Sequence, residues 1–223
     1  MGEIGKLNQD LKTLLKENRG ELSSVQGNIL GAAADKEIRT IFITSCYASE
    51  GKTISAISMA YALSTGFDTK VLLVDGNIYS PKIHEHFNVN LTPGLSDLLL
   101  SKVEYNQALK TTEYENLTII PHGTKMSNML DVFKTEVFND KLDSLKQKFD
   151  YLIFDGHSVF GSSYTPVVAK YFDGIVIVVE CEKTRWEVLQ LAKDQINKVG
   201  GKVLGAVLNK RKYYIPKALY GKI

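Results

Sequence analysis

The stretch Ile41-Phe42-Ile43-Thr44-Ser45-Cys46-Tyr47-Ala48-Ser49-Glu50-Gly51-Lys52-Thr53 decides the fold. An apolar run at 41–45, bounded by a short polar loop, has the composition of a buried strand, and a helical pattern starts at Lys52. Ser-Glu-Gly-Lys-Thr at 49–53 has the form of the end of a phosphate-binding loop. Glycine there lets backbone N–H groups approach phosphate oxygens, and the N-terminus of the next helix adds partial positive charge. A lysine at 52 reaches β- and γ-phosphates, and a hydroxyl at 53 can ligate Mg²⁺. The full pattern G-x-x-x-x-G-K-[ST] asks for glycine at 46, where this chain has Cys46. The strand before the loop and the helix after it therefore carry the reading more than the string itself.

Outward from this stretch, apolar strand patterns recur at 70–74, 117–120, 151–154, 174–179 and 203–208. Helical patterns cover 52–65 (broken by Gly66), 95–101, 105–109, 132–149 and 185–199. Ile4, Leu7, Leu11, Leu14 and Leu15 predict an amphipathic, lysine-rich helix over 4–19, with weaker helical character over 20–36. Near-continuous apolar strands alternating with helices define an α/β fold, a mostly parallel sheet covered by helices on both faces. Ligands of such sheets sit beyond the carboxyl ends of the strands. The loop at 46–53, Asp75 and Asp155 each follow a strand end.

The chain has 223 residues, 44% hydrophobic and 23% charged, with a net charge of +2. That suits one globular unit and gives no basic field for nucleic acid, which is not an expected partner. Cys46 and Cys181 form no C-x-x-C or zinc pattern, so a reducing, cytosolic setting is expected. No apolar run reaches about 18 residues. The four histidines are scattered, and His157 reads as a hydrogen-bonding residue rather than a base. Trp186 and the aromatics at 171–172 read as packing.

A strand ending in Asp places a carboxylate near the Mg²⁺ of a nucleotide, usually through water, although an Asp capping a turn looks alike. Two such strands, Val71-Leu72-Leu73-Val74-Asp75 and Tyr151-Leu152-Ile153-Phe154-Asp155, tip the reading toward a site. With these residues the chain resembles the bacterial tyrosine kinases (BY-kinases) of capsule and exopolysaccharide synthesis. They belong to the deviant Walker A class of P-loop NTPases, which also holds partition and septum-site ATPases. Asp75, Asn77, Tyr79 and Pro81 stand at the places of the family's D-x-D-x-R-x-P motif. His84 and Phe87 follow as H-x-x-F, then Gly94-Leu95-Ser96-Asp97-Leu98, and Gly205-Ala206-Val207-Leu208-Asn209 fits G-x-V-L-N. Tyr213, Tyr214 and Tyr220 fall at the place of the family's C-terminal tyrosine cluster.

The resemblance implies ATP and Mg²⁺ as cofactors, with Ser49, Glu50, Gly51, Lys52 and Thr53 cradling phosphates and Asn209 near the base. It implies Thr53, Asp75 and Asp155 around the metal, with Lys52, Asp75 and Asp155 catalytic and Asp75 the local candidate for a base. Tyr213, Tyr214 and Tyr220 would be phosphoacceptors. The implied organisation is a helical segment at 1–36 packed on the core, a nucleotide-binding domain at 37–209 and a tyrosine-bearing tail at 210–223. The implied setting is cytoplasmic, at the inner face of the membrane through the cytoplasmic end of a polysaccharide co-polymerase, with possible self-association.

The chain departs from the family at functional places. Asn77 replaces the second Asp, and an amide carries no charge and is a poor base. Tyr79 replaces the Arg, Ala48-Ser49 replaces Pro-Gly, and Gly156-His157-Ser158 follows Asp155 where Thr-Pro-Pro is usual. Of the assembly motif E-x-x-R-x-x-R only Glu21 is kept, with Ser24 and Gly27 at both arginine places. A second reading is thus a nucleotide-binding regulator without phosphoryl transfer. A third, a partition-type ATPase, lacks its signature lysine, because that place is Tyr47. Lys210-Arg211-Lys212 reads as a phosphate partner or as a solvated turn.

Overall fold

The computed structural model describes residues 4–34, 38–66, 69–125 and 136–212. Eight strands form one sheet: β1 (Ile4–Gly5), β2 (Thr40–Ser45), β3 (Val71–Asp75), β4 (Lys110–Thr112), β5 (Leu117–Ile120), β6 (Tyr151–Asp155), β7 (Gly174–Glu180) and β8 (Val203–Asn209). Their order is β1-β4-β5-β3-β6-β2-β7-β8. From β5 to β8 all neighbours run parallel, while β4 pairs antiparallel with β5 and β1 parallel with β4.

Alternate residues of the central strands feed two separate cores. Phe42, Leu72, Val74, Leu152, Phe154, Ile175 and Ile177 face one side. There they meet α5 (Leu95–Leu99), α6 (Tyr105–Ala108), α7 (Glu136–Lys146), α8 (Tyr164–Ala169) and α9 (Trp186–Lys198). Ile41, Ile43, Val71, Leu73, Ile153, Val176 and Val178 face the other. Helices α1 (Gln9–Glu17), α3 (Lys52–Gly66) and α4 (Ile83–Phe87) cover that side, and α2 (Arg19–Ala34) packs on α3. Burial on both faces is why these strands read as unbroken apolar runs.

The N-terminus differs from the sequence reading. Residues 4–8 are extended, and Ile4 and Gly5 pair with Thr111 and Thr112 of β4. Helix α1 starts only after Asn8, whose Oδ1 accepts the Leu11 N–H at 3.0 Å. Such a cap fixes where a helix begins more sharply than apolar spacing does. The backbone N–H groups of Lys6 and Asn8 donate to the carbonyls of Phe87 and His86, so the segment is stitched to the end of α4. Strands β1 and β4 are too short for periodicity to reveal, and helices α4 and α8 are absent from the sequence reading. Helix α7 lies inside the expected 132–149, of which 132–135 lie outside the described residues. Trp186 is 69% exposed at the start of α9 rather than packed, whereas Phe172 stacks within 5 Å of Phe42 and Phe154.

The strand that carries the phosphate loop is pinned at its start. Asp173 Oδ2 accepts the N–H groups of Arg39 and Thr40 at 3.0 and 2.8 Å and the Thr40 hydroxyl at 2.8 Å. The Thr40 hydroxyl oxygen accepts the Asp173 N–H in return. Asp173→Ala leaves these donors unpaired where β2 meets β7, so unfolding in urea should show a loss of about 1–3 kcal/mol.

Candidate functional site

Strands β2, β6 and β3 lie side by side; β6 and β3 end level, with Asp75 directly opposite Asp155 in the register, and β2 runs two residues further to Ser45. The loop after β2 turns between Cys46 and Gly51, and Lys52 opens α3. Cys46 explains the missing glycine: its side chain is fully buried in the core on the α8 and α9 side. Burial first, then the charge of Glu50, pushes its thiol up to about 12, so it is no nucleophile. Two left-handed residues shape the turn, Ser49 at φ 65° and Gly51 at φ 95°. A Cβ at Gly51 would lie 1.9 Å from Asn209 Nδ2, so a side chain there would push Asn209 off the Glu50 carbonyl as well as strain the backbone.

Glu50 acts on the loop itself. Buried, it accepts the Tyr47 N–H at 2.8 Å through Oε2 and the Thr184 hydroxyl through Oε1. Its carbonyl accepts Asn209 Nδ2 at 2.8 Å, and the Ser49 carbonyl accepts Lys210 Nζ at 2.8 Å. The side chains of Glu50 and Asn209 are thus spent on holding the loop. Asn209, expected beside a nucleotide base, sits on the loop backbone at the end of β8. A groove of about 900 Å³ opens next to it, lined among others by Ile54, Ser58, Cys181, Thr184 and Asn209.

At the head of α3 the Thr53 hydroxyl donates to Asp155 Oδ2 at 2.6 Å. Asp155 Oδ1 is buried without a hydrogen-bond partner. Lys52 is buried, and its amine is pushed down by that burial against the opposing charges of Asp155 and Glu50. Burial raises the Asp155 carboxyl to about 6, with Thr53 and Lys52 acting in the other direction. A hydroxyl, an ammonium and an orphaned carboxylate oxygen around one spot are a donor set that suits a Mg²⁺-phosphate unit.

Asp75 is held differently. Oδ1 accepts the Asn77 N–H at 3.2 Å, and Oδ2 accepts those of Lys82 and Ile83 at 3.0 Å each. Burial and the nearby Asp155 charge still raise its carboxyl well above the usual range. Both oxygens accept backbone N–H groups, a geometry that anchors the start of α4. Asn77 follows suit: its Oδ1 accepts the Ser80 N–H at 3.2 Å. Burial pushes the His157 imidazole down. Its ring stacks edge-on with exposed Tyr79 at 4.6 Å, and its carbonyl accepts the Thr44 and Thr165 hydroxyls.

The structure therefore brings together Lys52, Thr53, Asp75 and Asp155 with the turn 49–51. Tyr213, Tyr214 and Tyr220 lie outside the described residues. Glu180, Thr184 and Lys210 escaped sequence reading as loop-holding residues, because 130 or more positions separate each from the loop and no local pattern marks them. Among the described residues no helix is long and apolar enough to cross a membrane, and no group of three or more acidic, His or Cys side chains forms a metal cluster.

A family profile described as an AAA domain matches residues 38–206. CapB of Staphylococcus aureus, which carries a tyrosine-protein kinase name, is 30% identical over 187 residues, covering 83% of this chain and 81% of that protein. The tyrosine-protein kinase YwqD of Bacillus subtilis is 26% identical over 195 residues, or 87% and 82% of the two chains. The crystal structure of the chimerical protein CapA2B2 superposes with a TM-score of 0.85 at 27% identity, covering 95% of this chain and 96% of that one.

The buried carboxyl pair has a signature in stability. Asp155 ionises near 6 in the folded chain against an ordinary value of 3.8. Between those values the folded state keeps a proton that the unfolded state has released, so this group's contribution falls as pH rises toward 6. Asp155→Asn removes that cost. Urea unfolding should find the variant more stable than the parent at pH 7.5, by up to about 3 kcal/mol, with the gain fading toward pH 4.

Proposed function

The chain belongs to the bacterial tyrosine kinase family, and on that premise we propose that it is an ATP-dependent tyrosine autokinase domain serving capsule or exopolysaccharide production. The γ-phosphoryl of ATP passes to Tyr213, Tyr214 or Tyr220 of this or a neighbouring molecule. The observation that carries the reading is Thr53 on Asp155 with Asp155 Oδ1 left over, beside a buried Lys52. In this reading Thr53 and Asp155 hold Mg²⁺, which when bound offsets the charge on the phosphates. Backbone N–H groups of 49–53 and the head of α3 take the phosphate oxygens. Lys52 stabilises the phosphoryl in transfer, and the groove beside Asn209 has room for the base. Asp75 supplies charge and fixes the chain from Asn77 to Ile83 next to the metal. Phosphoryl transfer through a loose transition state rests on positioning and electrostatics, so a tightly bonded Asp75 is compatible with it. The partner in this reading is the cytoplasmic end of a membrane polysaccharide co-polymerase.

A second reading, a nucleotide-binding regulator, draws on Asn77. Its amide is neutral and committed to Ser80, so the charge that the family keeps near the metal is missing here.

Phosphatase-treated protein incubated with Mg-ATP should gain phosphate on Tyr213, Tyr214 or Tyr220 by intact mass and peptide mapping, and Lys52→Met should gain none. Binding of ATP without any gain would replace the kinase reading with the regulator. Because an Asp at 77 keeps the Ser80 bond and adds charge, Asn77→Asp should speed tyrosine phosphorylation about tenfold or more in a timed assay.

A further inference from the structure

Among the described residues, five that are not glycine have left-handed backbone: Ser49, Asn88, Ser101, Glu182 and Lys210. Asn88 and Ser101 follow the short helices α4 and α5, where such a residue is an ordinary ending. The other three converge on one spot. Ser49 is in the phosphate loop, Glu182 in the turn after β7, and Lys210 directly after β8. Each such conformation costs on the order of 1–3 kcal/mol and persists only where its surroundings enforce it.

Two of the contacts at this spot run from a side chain to the loop backbone, and the others brace those two side chains. Lys210 Nζ donates to the Ser49 carbonyl at 2.8 Å and to Glu180 Oε2 at 3.0 Å. Glu180 also pairs with Lys183 at 3.3 Å. Asn209 holds the neighbouring Glu50 carbonyl, and Thr184 holds the Glu50 carboxylate. The Cys181 N–H closes the set by donating to the Asn209 carbonyl at 2.9 Å. Of these groups only Lys210 acts on Ser49, the residue that must adopt a backbone shape natural to glycine.

We propose that Lys210 is a positioning residue for nucleotide binding. Its ammonium, steadied by Glu180, holds the 49–50 peptide in the orientation that aims the following N–H groups at phosphate. A glycine at 49 would reach that orientation at little cost. Lys210 supplies by charge-assisted hydrogen bonding what the loop lacks in conformational freedom. It acts on the loop backbone and makes no contact with phosphate. The inference rests on the nucleotide-binding reading above.

A double-mutant cycle separates this role from the alternatives. Mg-ATP binding is measured by calorimetry on the parent, Lys210→Met, Ser49→Gly and the double variant, with melting temperatures alongside. Lys210→Met should weaken binding about tenfold in the parent and less than about threefold on the Ser49→Gly background, with little change in melting temperature. An equal loss on both backgrounds would make Lys210 a direct phosphate partner and overturn the proposal, as would no loss on either. If none of the four proteins binds Mg-ATP, the nucleotide reading itself falls and this inference with it. Binding by the parent with an additive cycle removes the inference alone.

Discussion

Two carboxylates face each other across the register of β3 and β6, both without contact with water, and the rest of the site is arranged around that repulsion. Burying one carboxylate is costly, and placing a second beside it raises the cost. The chain offsets this unevenly. Asp75 receives three backbone N–H groups from the approach to α4, whereas Asp155 receives one hydroxyl and the field of Lys52. Both oxygens of Asp75 are hydrogen-bonded, whereas Asp155 Oδ1 has no hydrogen-bond partner. A structure built only for stability would not leave Asp155 in that state, because replacing it with a neutral isostere relieves the cost. The unpartnered Oδ1 is the part of that cost that a bound cation would offset.

Much of this was legible in the sequence, for physical reasons. Strands buried on both faces are written as unbroken apolar runs, so β2, β3, β6 and β7 stood out, and the residues at their carboxyl ends named Lys52, Thr53, Asp75 and Asp155. Helix α3 is marked by the same loop that makes it functional. Strands β1 and β4, at one end of the sheet, were hidden, since two or three residues carry no period, and the expected first helix absorbed Ile4 and Gly5 because apolar spacing alone cannot locate the Asn8 cap. The bonds that hold the phosphate loop were hidden for another reason. Thr184 and Lys210 are 134 and 161 positions from their partners, and only the sheet brings them together.

The departures of the loop from its family pattern sort by what each side chain touches. Cys46 faces the core, where a small apolar side chain serves as well as none. Ser49 faces a demand on its backbone and is met by the Lys210 ammonium just past the end of β8. Asn77 has kept the hydrogen-bonding half of a carboxylate's role, toward Ser80, and shed the charge. Substitution at the first two places is absorbed by the scaffold. At the third it falls on the chemistry, and that is where the kinase and regulator readings part.

The N-terminal segment has a practical bearing. Residues 4–8 join the far edge of the sheet, and Leu7, Leu11 and Leu15 then pack over the face that holds Ile57, Leu63 and Phe87. The part matched by the family profile begins at residue 38 and leaves this covering out. A chain trimmed to that match would present a bare apolar face to solvent, and faces of that kind drive aggregation. For recombinant work, the homology boundary and the folding boundary are therefore different places, more than thirty residues apart.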